Sequence, residues 1–159
     1  MKKFLTTLIS FMLFAFLFNA NAGRIVPDFF LKSEFDYYVK RDALKGKPSV
    51  LIFWGINCHT CKHELPQINK LYKKYKKKVN FFAIVVDSDD IKEIKETKKM
   101  WGFDIPVLIG DRKTIYRFRV IGVPMILILD KNLNIYRKYF GAQSNDKIEG
   151  ILKTLLQEK

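Results

Sequence analysis

Cysteine is scarce in this sequence, because the 159 residues contain only two, Cys58 and Cys61. So small a number excludes a mini-protein held together by several disulfides and a zinc module with four cysteine ligands. Acidic residues are also few, at 16 against 29 Lys and Arg, which gives a formal net charge of +13. Hydrophobic residues make up 48% of the chain and charged residues 28%, and this composition argues against wholesale disorder. With no internal repeat, low-complexity segment or linker, the length predicts one ordinary domain with a single cysteine pair.

The first 22 residues have the pattern of a signal peptide. Lys2 and Lys3 form a positive start, residues 4–18 are almost continuously apolar, and Ala20-Asn21-Ala22 predicts cleavage before Gly23. The alternative is an uncleaved membrane anchor, but the apolar run is shorter than the roughly 20 residues that a spanning helix needs. No cysteine stands directly after the run, which argues against a lipid anchor. We therefore expect an exported, periplasmic protein whose mature domain is 23–159.

Hydrophobic patterning predicts alternating strands and helices in the mature chain. Short apolar runs predict strands at 26–31, 37–39, 49–54, 79–86, 105–109, 125–129 and 135–140. Apolar residues at helical spacing predict helices from Cys58 to Tyr75, after a cap at Ser88 or Asp89, over 113–119, and after a cap at Ser144 or Asn145. The order ends strand–strand–helix, so we predict an α/β fold around a sheet of mixed direction.

The two cysteines lie where a predicted buried strand ends and a predicted helix begins. At the start of a helix, free backbone N–H groups and the positive end of the helix dipole stabilise a thiolate, so we expect a lowered pKa for Cys58. Protonated His59 would add to this effect. Cys61 follows one helical turn later, where it can attack a mixed disulfide formed on Cys58. Because a disulfide across so short a loop removes little unfolded-state entropy, the pair suits redox exchange or metal binding better than structural cross-linking.

Metal binding and haem attachment are two other functions of paired cysteines at this spacing. A metal site could combine the two cysteines with His59 or His63 and would suit copper or zinc, but ligands crowded at one helix start are difficult to direct at a single ion. Haem attachment requires a histidine directly after the second cysteine, and Lys62 occupies that position.

The lysines within 73–78 end the predicted helix, where cations complement its dipole, and they are interpreted as a solvated face.

Phe53-Trp54-Gly55 shortly precedes the cysteine motif, and Glu64-Leu65-Pro66 follows it. Together with the motif, these residues resemble the active-site segment of exported thioredoxin-like proteins of the TlpA/ResA/CcmG (DsbE) group. Further segments are similar in collinear order: Pro27–Phe29, Leu44–Pro48, and Gly122–Pro124 followed by an apolar strand and Asp130. The resemblance implies a thioredoxin fold, with a central mixed β-sheet flanked by helices, an N-terminal strand extension and a βα insertion. It also implies thiol–disulfide exchange with no cofactor beyond a redox-active disulfide between the two cysteines.

The resemblance implies roles for individual residues. Cys58 would be the attacking nucleophile and Cys61 the resolving thiol, and Glu64, on the same helical face, would exchange a proton with Cys61; the alternative for Glu64 is a plain surface charge. Val123 would precede a cis-Pro124 and offer its backbone to a substrate peptide. The residues expected to contact substrate or border the site are Trp54, His59, Thr60 and Val123, of which the tryptophan suits a core position equally well.

The resemblance also implies partners. The expected reaction is reduction of disulfides in secreted proteins such as apocytochrome c during cytochrome c maturation, with a membrane electron donor of the CcdA/DsbD type. His59 and Thr60 stand where many relatives have a proline within the motif, and Met125 replaces a threonine common after the cis-proline, which leaves the direction of exchange and the substrate open. A disulfide oxidase or isomerase of broader specificity and a copper-binding chaperone are the alternatives. We expect a monomer that binds no nucleic acid.

Overall fold

A five-stranded mixed β-sheet forms the centre of the computed structural model, which describes residues 24–158. The predicted signal peptide, residues 1–22, lies outside the described residues. The strands are β1 Phe30–Lys32, β2 Tyr38–Lys40, β3 Ser49–Trp54, β4 Asn80–Val85, β5 Val107–Ile109, β6 Met125–Leu129 and β7 Ile135–Phe140. The α-helices are α1 His59–Tyr75, α2 Ile91–Trp101, α3 Arg112–Phe118 and α4 Asn145–Gln157, and a 3₁₀ helix spans Arg41–Leu44. None of the helices in this described part of the chain has the length and apolar character needed to cross a membrane.

The central sheet has the strand order β5-β4-β3-β6-β7. Strands β3, β4 and β5 run parallel and are connected through helices, as parallel neighbours require, whereas β6 runs antiparallel to both of its neighbours, β3 and β7. Every residue of the middle strand β3 is buried, which explains its uninterrupted apolar sequence. The predicted α/β fold with a sheet of mixed direction is confirmed.

Alternate residues of β3 pack into two separate apolar layers. Val50, Ile52 and Trp54 lie in the layer formed with helices α1, α2 and α4. Leu51 and Phe53 lie in the opposite layer, which contains residues of β1, β2 and α3. Both faces of the strand are therefore covered, and the cysteine motif follows shortly after its carboxyl end, where the chain enters α1.

The hairpin formed by β1 and β2 covers the edge of the sheet at β5. Ser33 bridges Leu108, and the backbone N–H of Glu34 donates to the carbonyl of Val107 at 3.0 Å. The Glu34 carboxylate accepts a hydrogen bond from the Val107 N–H at 3.0 Å and pairs with Lys98 of α2. An open strand edge is a template for pairing with another chain, so this N-terminal extension protects the sheet.

The first strand begins later than the sequence predicts. The apolar pattern predicts it at 26–31, whereas β1 is Phe30–Lys32. Val26 donates a backbone hydrogen bond to Leu133 at 2.9 Å, and Pro27 has no N–H to donate. Because this stretch has no continuous partner strand, the apolar pattern does not produce a ladder there.

Helix α2 is capped by Asp90 and not by the predicted Ser88 or Asp89. The Asp90 carboxylate accepts hydrogen bonds from the backbone N–H groups of Lys92 and Glu93 at 2.8 and 3.2 Å. The Ser88 hydroxyl donates to the Glu93 side chain at 2.9 Å. Three consecutive residues have side chains that can cap a helix, and only the fold decides which of them directly precedes the first helical turn.

Candidate active site

The cysteine motif lies at the N-terminus of α1, shortly after the carboxyl end of β3. Cys58 is the N-cap residue, and its Sγ accepts a hydrogen bond from the backbone N–H of Cys61 at 3.1 Å. The two cysteines form a disulfide, with their Cα atoms 5.2 Å apart. The pair therefore stands where the helix dipole and the free N–H groups of the first turn favour negative charge on sulfur.

The two cysteines of the disulfide differ in accessibility. Cys61 has 0% of its surface exposed and belongs to the core layer beneath α1. Cys58 is only partly buried. Since thiol–disulfide exchange requires access to the attacked sulfur, a partner approaching the oxidised protein reaches Cys58 and is kept from Cys61.

A second loop approaches the disulfide from the start of β6. The carbonyl oxygen of Val123 lies 3.6 Å from the Cys58 Sγ, and the Val123–Pro124 peptide bond is cis. The carbonyl of Pro124 accepts a hydrogen bond from the N–H of Gly141 at 2.8 Å, which ties the loop to the end of β7. Val123 is partly exposed and Pro124 is buried, so the Val123 backbone borders the reachable sulfur.

Glu64 is buried on α1, one turn after Cys61, with 4% of its surface exposed. Its carboxylate accepts a hydrogen bond from the backbone N–H of Gln143 at 2.8 Å. Burial raises the pKa of Glu64, and the Gln143 hydrogen bond only partly offsets this rise. A carboxyl group in this setting keeps its proton to higher pH than an exposed one. The alternative of a plain surface charge is therefore wrong.

The two residues between the cysteines, His59 and Thr60, are exposed. The ring of His59 lies beside that of His63, with 5.0 Å between the ring centroids. Across residues 24–158, no group of three or more His, Cys, Asp or Glu side chains is arranged to hold a metal ion. The side chains of His59 and Thr60 therefore lie at the surface beside the disulfide.

Trp54, at the end of β3, has 0% of its surface exposed. Its indole packs edge-on against Trp101 and Phe103, at centroid distances of 5.4 and 5.5 Å. Its Nε1 has no hydrogen-bond partner among the residues that the structure describes. Because a side chain with no exposed surface cannot touch a substrate, the structure assigns Trp54 to the core and not to the substrate-contacting surface.

The loop leading into the motif is held by Asp87, a residue that is not among the predicted site residues. Its carboxylate accepts hydrogen bonds from the backbone N–H groups of Ile56 at 2.9 Å and Asn57 at 3.4 Å. A Cβ added at Gly55 would lie 2.5 Å from the same carboxylate, so glycine leaves room for the contact. The available signal was an acidic residue after the parallel strand next to β3, since the carboxyl ends of parallel strands share one edge of a sheet.

Comparison with known proteins by sequence identifies a family and relatives of this chain. The AhpC/TSA family model matches residues 22–149. The thiol-disulfide oxidoreductase ResA of Bacillus thuringiensis (strain Al Hakam) is 33% identical over 135 residues, which cover 84% of this chain and 78% of the relative. The thiol-disulfide oxidoreductase YkuV of Bacillus subtilis (strain 168) is 29% identical over 126 residues, which cover 76% of this chain and 85% of the relative.

Solved structures share the fold. A thiol:disulfide interchange protein of the thioredoxin family from Chlorobium tepidum TLS superposes with a TM-score of 0.76 at 22% identity, covering 86% of this chain and 98% of that chain. This likeness establishes the fold, and it confirms the thioredoxin fold expected from the resemblance. The chain therefore belongs to the AhpC/TSA family, and within it to the ResA-like thiol-disulfide oxidoreductases of the thioredoxin fold.

Proposed function

We propose that the protein reduces disulfides in exported proteins and that apocytochrome c is among its substrates. The observation that carries this proposal is the unequal exposure of the two sulfurs, since Cys58 is partly exposed and Cys61 has 0% exposure. A reductase of this kind needs one thiol that attacks the substrate and a second that is withheld until the mixed disulfide has formed. The similarity to ResA, a thiol-disulfide oxidoreductase, supports the reaction class.

The exchange proceeds in two displacements. In the reduced protein the Cys58 thiolate attacks one sulfur of the substrate disulfide, which forms a Cys58–substrate disulfide and releases the other substrate sulfur as a thiolate. The Cys61 thiolate then attacks the Cys58 sulfur, which re-forms the Cys58–Cys61 disulfide and releases the second substrate thiolate. Two electrons pass from the protein to the substrate, and both substrate thiolates take protons from solvent.

Val123 positions the substrate for the first displacement. Its carbonyl oxygen lies 3.6 Å from the Cys58 Sγ, so a substrate strand that hydrogen-bonds to the Val123 backbone brings its own cysteine beside Cys58. Val123 precedes Pro124 through a cis peptide bond. His59 and Thr60 are exposed next to the same sulfur and contact the side chains of the substrate.

Glu64 serves the second displacement as the proton acceptor for Cys61. The side chain is withheld from solvent, at 4% exposure, and its raised pKa brings the carboxyl closer to the range in which a thiol gives up its proton. Cys61 has 0% of its surface exposed, so a nearby protein group has to accept the proton of its thiol.

The proposed compartment is the periplasm, and the proposed donor is a membrane protein of the CcdA/DsbD type. Support comes from the predicted signal peptide at residues 1–22 and from the oxidising character of compartments outside the cytoplasm, where a reductase must be supplied with electrons. Mass spectrometry of the protein recovered from a periplasmic extract tests this location, with Gly23 expected as the first residue. Recovery of the full-length chain in the membrane fraction would support the uncleaved anchor.

Trapping of substrates tests the exchange and its order. In an exported Cys61→Ser variant, Cys58 still attacks but nothing resolves the mixed disulfide, so substrates stay attached and can be identified by mass spectrometry. The matched control is Cys58→Ser, which retains only the shielded thiol. We expect apocytochrome c among the proteins captured by the first variant and not by the second. Capture of other secreted proteins without apocytochrome c would contradict the apocytochrome assignment, and capture by Cys58→Ser alone would contradict the order of attack.

Equilibration with glutathione tests the direction of exchange. A reductase requires a potential far below that of strong oxidants, which lie at about −120 mV, and closer to that of thioredoxin at about −270 mV. A value in the oxidising range would contradict the reductase role and support an oxidase or isomerase.

A further inference from the structure

A basic hollow lies beside the loop that carries Val123, on the side of helix α3. It encloses about 440 Å³, and its lining includes Arg24, Tyr116, Arg117, Arg119, Val120 and Ile121. A smaller adjoining hollow of about 170 Å³ shares the three arginines and adds Lys138. Neither is lined by an aspartate or a glutamate. We call the two together the basic hollow.

The four cations of the basic hollow have no acidic partner within residues 24–158. Arg117 donates to the backbone carbonyl of Asp28 at 3.2 Å, and Lys138 donates to two carbonyls at the end of α3 at 3.1 and 3.3 Å. Burial lowers the pKa of Lys138, and the like charges of Arg119 and Arg24 lower it further. Positive charges gathered in this way repel one another, and a bound anion relieves that repulsion.

The basic hollow is within reach of a substrate attached to Cys58. Ile121, on its rim, precedes Val123 by two residues, so their Cα atoms are at most about 8 Å apart. The Val123 carbonyl in turn lies 3.6 Å from the Cys58 Sγ. An extended peptide advances about 3.3 Å per residue, so a substrate strand running along this loop reaches the hollow two to four residues from its cysteine. Tyr116 and Ile121 are 85% and 81% exposed, which makes the rim apolar and open.

We propose that the basic hollow is a specificity site that binds a carboxylate side chain of the substrate, two to four residues from the cysteine that Cys58 attacks. The proposal rests on the exchange function proposed above and narrows its substrates to disulfides flanked by acidic residues. Guanidinium groups bind carboxylates through paired, charge-assisted hydrogen bonds, and the rim formed by Tyr116 and Ile121 accepts an apolar neighbour. Because the arginines are exposed, the site acts chiefly on the association rate and is weakened by salt.

Three synthetic peptides test the proposal. Each contains the same Cys-Ala-Ala-Cys disulfide, flanked on both sides by Leu and by two Glu, two Gln or two Lys residues. The rate constant for reduction by the reduced wild-type protein is measured at low salt and again at high salt. We expect the Glu peptide to react about tenfold faster than the Gln peptide, a factor at the lower end for one charge-assisted hydrogen bond because the arginines are exposed. The Lys peptide should be slowest, and high salt should reduce the difference.

Variants locate the effect on the molecule. Arg117→Gln/Arg119→Gln is expected to remove most of the preference for the Glu peptide and to leave the rate with the Gln peptide unchanged. Lys76→Gln/Lys77→Gln removes the same charge at the far end of α1 and should retain the preference. Arg117→Glu/Arg119→Glu balances Arg24 and Lys138 with two carboxylates, so it should lower the preference for the Glu peptide at least as far as Arg117→Gln/Arg119→Gln does while the rate with the Gln peptide is retained, a result that a loss of folding cannot produce.

Equal rates for the three peptides with the wild-type protein would overturn the specificity site. Loss of the preference in Lys76→Gln/Lys77→Gln would also overturn it, because the preference would then come from the net charge of the molecule. Failure of the exchange function has a different signature: the protein would reduce neither the Gln peptide nor the small neutral hydroxyethyl disulfide. That result would remove both proposals.

Discussion

Replacement of Gly55 by alanine should destabilise the protein through its effect on Asp87. The added Cβ would lie 2.5 Å from the Oδ2 and 2.9 Å from the Cγ of Asp87. These atoms belong to a side chain that can turn away, but Asp87 then loses the hydrogen bonds that it accepts from Ile56 and Asn57 at 2.9 and 3.4 Å. The alanine is thus accommodated only by releasing the loop before Cys58.

The magnitude follows from these contacts. A hydrogen bond to a charged group contributes about 1.5–3 kcal/mol, and since Asp87 is exposed and one of its two bonds is long, we take about 1.5 kcal/mol for both. Asp87→Ala should therefore cost about 1.5 kcal/mol. Gly55→Ala loses the same bonds but restricts the unfolded chain, which returns about 0.5 kcal/mol and leaves a net cost of about 1 kcal/mol.

The two substitutions should not be additive. With Ala at position 87 no carboxylate meets the new Cβ at Gly55, so the double variant should lose about 1 kcal/mol where additivity requires about 2.5 kcal/mol, a coupling of about 1.5 kcal/mol. Urea unfolding of the four oxidised proteins at pH 7 measures this cycle. Gly150→Ala is the control: its Cβ meets nothing within 4 Å, and in helix α4 it should stabilise by about 1 kcal/mol. Additive losses for Gly55→Ala and Asp87→Ala would refute the reasoning.

Three further outcomes are expected. The folded-state pKa of Glu64 is raised above the ordinary value of 4.5, so wild-type stability should fall as the pH rises from 4.5 through the folded-state pKa. Glu64→Gln should lack this fall and be more stable at pH 7. Urea midpoints of the two proteins that change in parallel from pH 4 to 8 would contradict this expectation. Hydrogen bonds from Lys74 and Tyr75 lower the pKa of Glu149 to about 2, so the stability that Glu149 contributes is complete above pH 4.5 and lost as the pH falls toward 2. Thermal melts of Glu149→Gln should not show that acid loss, and an unchanged loss would be evidence against the ion pair. Ile68 is fully buried at 0% exposure, so Ile68→Ala should cost about 2–5 kcal/mol in urea unfolding, and a cost below about 1 kcal/mol would show that the layer refills the cavity.

Where an element is buried on both faces, local sequence was enough to locate it. The strands predicted at 49–54 and 125–129 coincide with β3 and β6, because a strand covered on both sides requires an uninterrupted apolar run. The position of the cysteine motif also follows locally, since the chain leaves a buried strand and enters a helix within a few residues. Helical spacing likewise put Glu64 one turn beyond Cys61.

Local sequence patterns did not decide whether Glu64 is buried. Its solvent cover includes the loop that contains Gln143, which is 79 residues away in the chain. Asp87 stands 31 residues from the N–H of Ile56 that it holds, and Val123 stands 65 residues from Cys58. Periodicity and capping patterns extend over a few turns or strand residues, so they do not report which distant segments become neighbours.

Charge shows the same division between sequence and fold. The sequence by itself determined an excess of 13 positive charges and indicated a solvated surface for the clustered lysines. Only the tertiary structure decided that Arg24 and Lys138, far apart in the chain, stand with two arginines of the α3 region beside the active-site loop. The physical reason is that net charge is a sum over residues, whereas a binding site depends on distances, and the packing of the sheet and its helices sets those distances.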